Sequence, residues 1–245
     1  MRNDNASYIY GKHPVREALT RASDAVRHVY LVSGHNEDEI RELAVKASIP
    51  FDRCDEEHLP HGIDRDAVHQ GVVALIQPSK VLGNYKEFIQ GLTVTENTGL
   101  ILLDELTDPH NVGAVIRSAA AFGMSGVLIP EHRQAQITGT VVKVSAGMVF
   151  AVPVIQIGNV NTVLRDLKER GFWIYGLTGE GDTSLYAERF TKPSVFVLGN
   201  EGKGIRQKTE ELCDFQLRIP IEKDCESLNA AASAAVVMYA WRSQR

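Results

Sequence analysis

Three loops in the second half of the chain concentrate residue types that can do chemistry. The first reads Asp104-Glu105-Leu106-Thr107-Asp108-Pro109-His110-Asn111-Val112-Gly113. Asp108 can cap a helix whose first position is Pro109, and Asn111 can equally be the cap. Either cap turns a helix N-terminus toward the loop, and such an end is a seat for an anion. Gly113 costs that helix about 1 kcal/mol relative to Ala, a cost borne where a backbone or ligand comes close. Arg117 follows within the same helix. The second loop, Gly199-Asn200-Glu201-Gly202-Lys203-Gly204, has three glycines in six residues, so its backbone can approach a planar or anionic ligand. Its spacing is neither that of a P-loop nor GxGxxG. The third loop runs from Ile219 to Asn229 and feeds Ala230-Ala231-Ala232-Ser233-Ala234-Ala235. Ser227 or Asn229 can cap this helix, which is thin enough to lie close to another backbone or to a second copy. Each loop alone is equally compatible with an ordinary strand–turn–helix.

The elements that must hold these loops alternate in type. Residues 100–103, 126–129, 152–155, 172–177, 195–198 and 215–218 read as strands; 111–122, 159–170, 203–212 and 228–242 read as helices. Such alternation predicts a mostly parallel sheet with helices on both faces. Ligands of such sheets bind beyond the carboxyl ends of the strands, where all three loops fall. An earlier α/β unit occupies residues 1–78, with helices at 14–21 and 37–47 and strands at 26–32, 50–53 and 72–76. A connector at 79–97 carries a short helix at 85–90, and residues 98–245 form the second domain.

Composition sets limits. The 245 residues are 44% hydrophobic and 23% charged, which suits a folded globular chain rather than a disordered one. No apolar run is long enough to span a bilayer, and the first residues lack a secretory core. Three cysteines without a CxxC pair argue against a disulfide framework, so a cytoplasmic location is expected. The formal net charge of −5 offers no electrostatic footprint for nucleic acid, although residues 1–30 carry five basic against three acidic side chains. The spacing of Cys54, His58 and His61 superficially suggests zinc, but no fourth ligand follows, and no metal is expected.

The ordered set DPHNVGAVIRSAAAFG, VFVLGNEGKGI and IPIEKDCESLNAAASAA resembles the three motifs of SpoU-type (TrmH-like) RNA ribose 2′-O-methyltransferases. YIYGKHPVREAL and VHQGVVALI are similar to the substrate-binding domain attached to the branch that methylates a guanosine of 23S rRNA. The resemblance implies a trefoil-knotted α/β fold, preceded by a small ribosomal-protein-like RNA-binding domain. It implies S-adenosylmethionine as cofactor, RNA as acceptor and a homodimer. By motif position it implies catalytic roles for Asn111, Arg117, Glu201, Ser227 and Asn229. The cofactor is expected against Thr178, Gly179, Leu198, Gly199, Ile219 and Leu228. Several positions depart from that pattern: Lys223 replaces the usual Gly, Cys225 a Val, Ala230 and Ala231 the Val and Ser that follow the Asn, and Phe150 the acid that the rRNA branch often carries.

A guanidinium hardly deprotonates, so Arg117 is expected to act as a cation beside the 2′-hydroxyl, positioned by Glu201. RNA selection is expected from residues 8–78, with Lys12, His13, Arg16, His69 and Gln70 as the contacts. Alternative functions are a tRNA ribose 2′-O-methyltransferase, a non-catalytic RNA-binding protein on the same fold, and a nucleotide-dependent oxidoreductase, which the missing GxGxxG disfavours.

Overall fold

The computed structural model describes every residue except 1–5, 36, 61, 62 and 64–67, so His61 lies outside the described residues. Two compact units are formed: one runs to Leu82 and takes in Gln136–Ala151, the other comprises Gly83–Ala135 and Val152–Arg245.

In the first unit, strands β1 (Ser7–Tyr10), β2 (Val26–Val32), β3 (Phe51–Cys54) and β4 (Val72–Ile76) assemble in the order β1-β4-β2-β3. β4 is antiparallel to both neighbours and β3 is parallel to β2. Helices α1 (Lys12–Arg21) and α2 (Asp38–Lys46) contribute Val15, Ala18, Leu19, Ile40 and Ala44 to a core with Ile9, Val29, Leu31 and Ile76.

The second unit follows the expected alternation. Its elements in order are β5 (Leu82–Asn84), α3 (Tyr85–Gly91), β6 (Gly99–Leu103), α4 (Pro109–Phe122) and β7 (Gly126–Pro130). After α5 (Gly139–Val144), which belongs to the first unit, come β8 (Val154–Ile157), α6 (Val160–Glu169), β9 (Trp173–Leu177) and β10 (Thr183–Ser184). The chain then forms β11 (Ser194–Leu198), α7 (Gln207–Glu210), β12 (Phe215–Arg218) and α8 (Ala230–Arg242). The sheet order is β10-β12-β9-β11-β6-β7-β8-β5, and the ladders from β10 across to β8 are parallel. Residues 99–103, 126–130 and 194–198 are buried on both faces, as a covered parallel sheet requires. Leu100, Leu102, Val195 and Val197 pack with Val163, Leu164 and Leu167 of α6. Gly99 shares the opposite face with Ile101 and Leu103 and meets Trp241 of α8.

Three features differ from the sequence reading. α5 packs with the first unit: Gly139 N–H donates to Ser7 Oγ at 3.2 Å, and the Lys143 ammonium lies 5.0 Å from the Tyr10 ring centre. The connector at 79–97 holds a strand as well as its short helix, and Ile89 enters the second core. The helix expected over 203–212 shrinks to α7, because residues 199–206 are engaged in a self-closed turn and in side-chain bonds.

A Cβ at Gly99 would lie 2.6 Å from the Trp241 ring. Gly99→Ala should therefore lower stability by about 1–3 kcal/mol through overpacking. The check is a lower urea midpoint with an unchanged slope.

Candidate active site

The carboxyl ends of β9 and β11 splay apart. Their ladder stops at the pair Val197↔Gly176, whereas β9 and β12 stay paired through Leu217↔Leu177 and the Thr178 N–H to the Leu217 carbonyl, 3.1 Å. No carbonyl among the described residues accepts the Gly199 N–H. The opening is a cavity of about 390 Å³. Its walls come from three segments: 177–179 after β9, 198–204 after β11, and 217–233 from the end of β12 into α8.

Local chemistry explains each wall. The loop after β11 closes on itself: Asn200 N–H donates to the Gly204 carbonyl at 3.0 Å, and Gly204 N–H returns a bond to Asn200 O at 2.9 Å. A Cβ on Gly199 would collide with the Gly204 backbone, so this close approach demands glycine. At Gly179 a Cβ would meet nothing within 4 Å, so open space lies beside that backbone. Asn229, rather than Ser227, caps α8 and accepts from Ala231 N–H at 2.9 Å and Ala232 N–H at 3.2 Å. Asp108, rather than Asn111, caps α4 and accepts from His110 N–H at 2.8 Å.

One chain of hydrogen bonds joins the three loops. Asn229 Nδ2 donates to Asn111 Oδ1 at 2.9 Å, and Asn111 Nδ2 donates to Glu201 Oε1 at 3.1 Å. The same carboxylate oxygen takes the Asp108 N–H at 3.3 Å. The anion seat at the start of α4 is thus filled by the protein's own Glu201, where the helix dipole favours a negative charge by roughly 0.3–1 kcal/mol. Asn111 is 8% exposed and has both ends of its amide satisfied. Beneath this network, Asp104 is fully buried and pairs with Arg206. That hydrogen-bonded carboxylate holds the Arg206 guanidinium above its usual range.

The expected site residues fall into distinct groups. Thr178, Gly179, Leu198, Gly199, Ile219, Leu228, Glu201, Ser227 and Asn229 all line the cavity, and Asn111 is bonded to two of them. Arg117 stands apart. It is exposed on α4 and has no hydrogen bond or ion pair among the described residues. The expected Glu201–Arg117 bond is absent: Arg117 is six residues beyond Asn111, a rotation of about 240° around the helix, so the face that meets Glu201 cannot also present Arg117. In the first unit, Lys12 N–H donates to Gln70 Oε1 at 3.2 Å, and His13 is exposed beside them. Arg16 is engaged by Glu39 at 2.7 Å, and the His69 ring is mostly buried and accepts from Gly71 N–H at 3.1 Å. In this arrangement Arg16 shares its charge with Glu39 at the surface, and His69 is held beside Gly71. Asp104 and Arg206 were missed by sequence reasoning. Asp104 could be read as the first charge after an apolar strand run, but nothing in the sequence marks Arg206 as its partner.

A family model described as the SpoU rRNA Methylase family matches residues 99–239, and one described as RNA 2'-O ribose methyltransferase substrate binding matches residues 8–82. The 23S rRNA (guanosine-2'-O-)-methyltransferase RlmB of Pseudomonas aeruginosa is 36% identical over 242 residues, covering 97% of this chain and 96% of that protein. The protein of the same name from Escherichia coli K12 is 33% identical and covers 97% and 98%. Among solved structures, the SpoU methyltransferase AviRb from Streptomyces viridochromogenes, in complex with AdoMet, has a TM-score of 0.83 at 24% identity, covering 97% of this chain and 89% of its own. That last likeness is one of fold.

Asn229→Ala removes a cap and leaves Asn111 Oδ1 without its donor, so it should cost about 2 kcal/mol in urea unfolding. Asn229→Ser, which restores a capping oxygen, should recover about half of that.

Proposed function

The chain belongs to the SpoU rRNA methylase family, and from that membership we propose that it methylates the ribose 2′-hydroxyl of a guanosine in 23S rRNA, with S-adenosylmethionine as donor. The observation that carries this reading is the cavity between the splayed strands, whose wall residues Glu201 and Asn229 also hold Asn111. The residues present fit the cofactor. Leu198, Ile219 and Leu228 offer apolar surface to a purine, the Gly199 N–H offers an unused donor, and the space beside Gly179 is open. Such a mixture of apolar walls and a few backbone polar groups is typical of nucleotide-sized sites. The cofactor supplies an activated methyl group on a sulfonium, so the protein needs only to align the acceptor and remove a proton.

This chain's residues divide those tasks. Asn111 and Asn229 bind the three loops into one rigid edge, and Ser227 adds an exposed hydroxyl to the cavity wall. Alignment of this kind contributes roughly 7–11 kcal/mol in favourable cases. Arg117 remains free to place its charge beside the acceptor hydroxyl or a neighbouring phosphate, favouring the alkoxide without itself accepting the proton. The proton leaves to solvent or to a phosphate oxygen.

The rest of the assembly is proposed on the same footing. Residues 1–78 bind RNA, with Lys12, His13 and Gln70 grouped at one end of α1, and residues 98–245 do the chemistry. A homodimer is supported by α8, which leaves Val236 39% and Tyr239 62% exposed, with Tyr239 edge-on to Phe122 of the same helix pair that carries Arg117. A trefoil knot is supported by the path of the chain: after β12, beyond β9 and β11, it returns to pack α8 on α4. No helix among the described residues is long and apolar enough to cross a membrane; the cytoplasmic location is proposed from the ribosomal RNA substrate.

The test is transfer of a tritiated methyl group to total RNA from a strain lacking this gene. Label should enter 23S rRNA on a guanosine ribose. Label in tRNA would redirect the substrate, and donor binding without transfer would leave a non-catalytic RNA binder. Arg117→Ala should lower turnover about 100-fold or more while leaving donor affinity within twofold.

A further inference from the structure

We propose that Asp104 and Arg206 are positioning residues for methyl transfer, a clamp that acts through Glu201; this rests on the function proposed above. Asp104 directly follows β6, is 0% exposed, and donates its N–H to the Leu198 carbonyl at 2.7 Å. Its carboxylate is committed to a single residue of the neighbouring loop. Oδ2 accepts both the Arg206 main-chain N–H at 3.3 Å and Arg206 Nε at 3.2 Å, while Oδ1 accepts Nη2. Arg206 Nη1 reaches Glu105 Oε1 at 3.1 Å. Glu105 itself has φ +66°, a left-handed conformation that a residue with a Cβ adopts at some cost. That bend accompanies a bond from Asn200 Nδ2 to the Glu105 carbonyl at 2.9 Å.

The loop after β11 is therefore fastened at both ends to the loop after β6. Asn200 ties its start and Arg206 its end. Between those points it is stiffened internally, because Asn200 Oδ1 accepts the N–H groups of Gly202 at 3.1 Å and Lys203 at 3.2 Å. Glu201 sits at the tip of this turn, and its carboxylate meets the N-terminus of α4 and the amide of Asn111 only while the base stays put. An ion pair with one partner buried is weak evidence for stability, since desolvation of the buried carboxylate offsets much of the attraction. Its value here is geometric. A planar guanidinium gripping a carboxylate through two nitrogens fixes direction as well as distance, which an ammonium cannot do.

The experiment uses Arg206 variants of the full chain, because Arg206 is 44% exposed whereas Asp104→Asn leaves a buried amide facing a cation and risks misfolding. In the ligand-free protein, hydrogen exchange of peptides covering 199–204 and 108–112 should quicken about tenfold in Arg206→Ala and less in Arg206→Lys. With saturating donor and RNA, Arg206→Ala should lower kcat about tenfold or more. Because the clamp works through Glu201, adding Glu201→Gln should cost little beyond the larger single loss. Unchanged exchange in Arg206→Ala, an unchanged kcat, or losses that multiply in the double variant would overturn the clamp. A wild-type chain that transfers no methyl group defeats the proposed function instead, and the exchange measurement still decides whether the clamp exists.

Discussion

The carboxylate of Glu201 lies against the first turn of α4, and the ligand edge of the sheet is organised around that contact. Helix N-termini carry unsatisfied N–H groups and a partial positive charge. In many α/β proteins a phosphate fills that position. Here a side chain from the loop after the adjacent strand fills it, and accepts from Asp108 N–H and Asn111 Nδ2 together. The contact has two consequences. With Asp108 capping the His110 N–H, it places two carboxylates at the start of α4. It also converts Asn111 into a bridge, because the amide's other end is left to accept from Asn229.

The cavity follows from strand order. β12 lies outside β9 although it comes after β11 in the chain. The segment leaving β12 must then cross back over the sheet's carboxyl edge before α8 can pack on α4. That crossing supplies the third wall. Ladder geometry supplies the space, since β9 keeps its bonds to β12 for one residue longer than its bonds to β11. Small residues make the close approaches possible: Gly199 against Gly204 and Gly99 against Trp241.

The strands and loops were legible from sequence because buried parallel strands read as unbroken apolar runs. The runs at 100–103 and 195–198 lie within β6 and β11. The convergence of the loops was legible only through their common position at strand ends together with the family resemblance. What escaped were features set by tertiary contact. α5 carries no signal that it packs with β1, because that docking depends on Gly139 and Lys143 meeting residues more than a hundred positions earlier. The shortening of the helix expected at 203–212 reflects Arg206, whose extended backbone, φ −63° and ψ 138°, serves its bonds to Asp104 rather than local propensity. The pairing of Glu201 with Asn111 rather than Arg117 is a matter of helix phase that charge alone does not reveal.

The separation of Arg117 from the rest of the constellation carries a mechanistic argument of its own. If the guanidinium were bonded to Glu201, its charge would be neutralised in place and its donors spent. Left unpaired on an exposed face, it keeps its charge and its donors for a partner outside the protomer's own fold. Phosphate and a developing alkoxide are the anions that RNA can offer, and a guanidinium suits both without being able to serve as a base. The cavity and the cation are thus prepared separately: one is built from backbone and rigidified by the two asparagines, the other is held in reserve on α4. On the proposed reading, bound RNA is what would bring the two together.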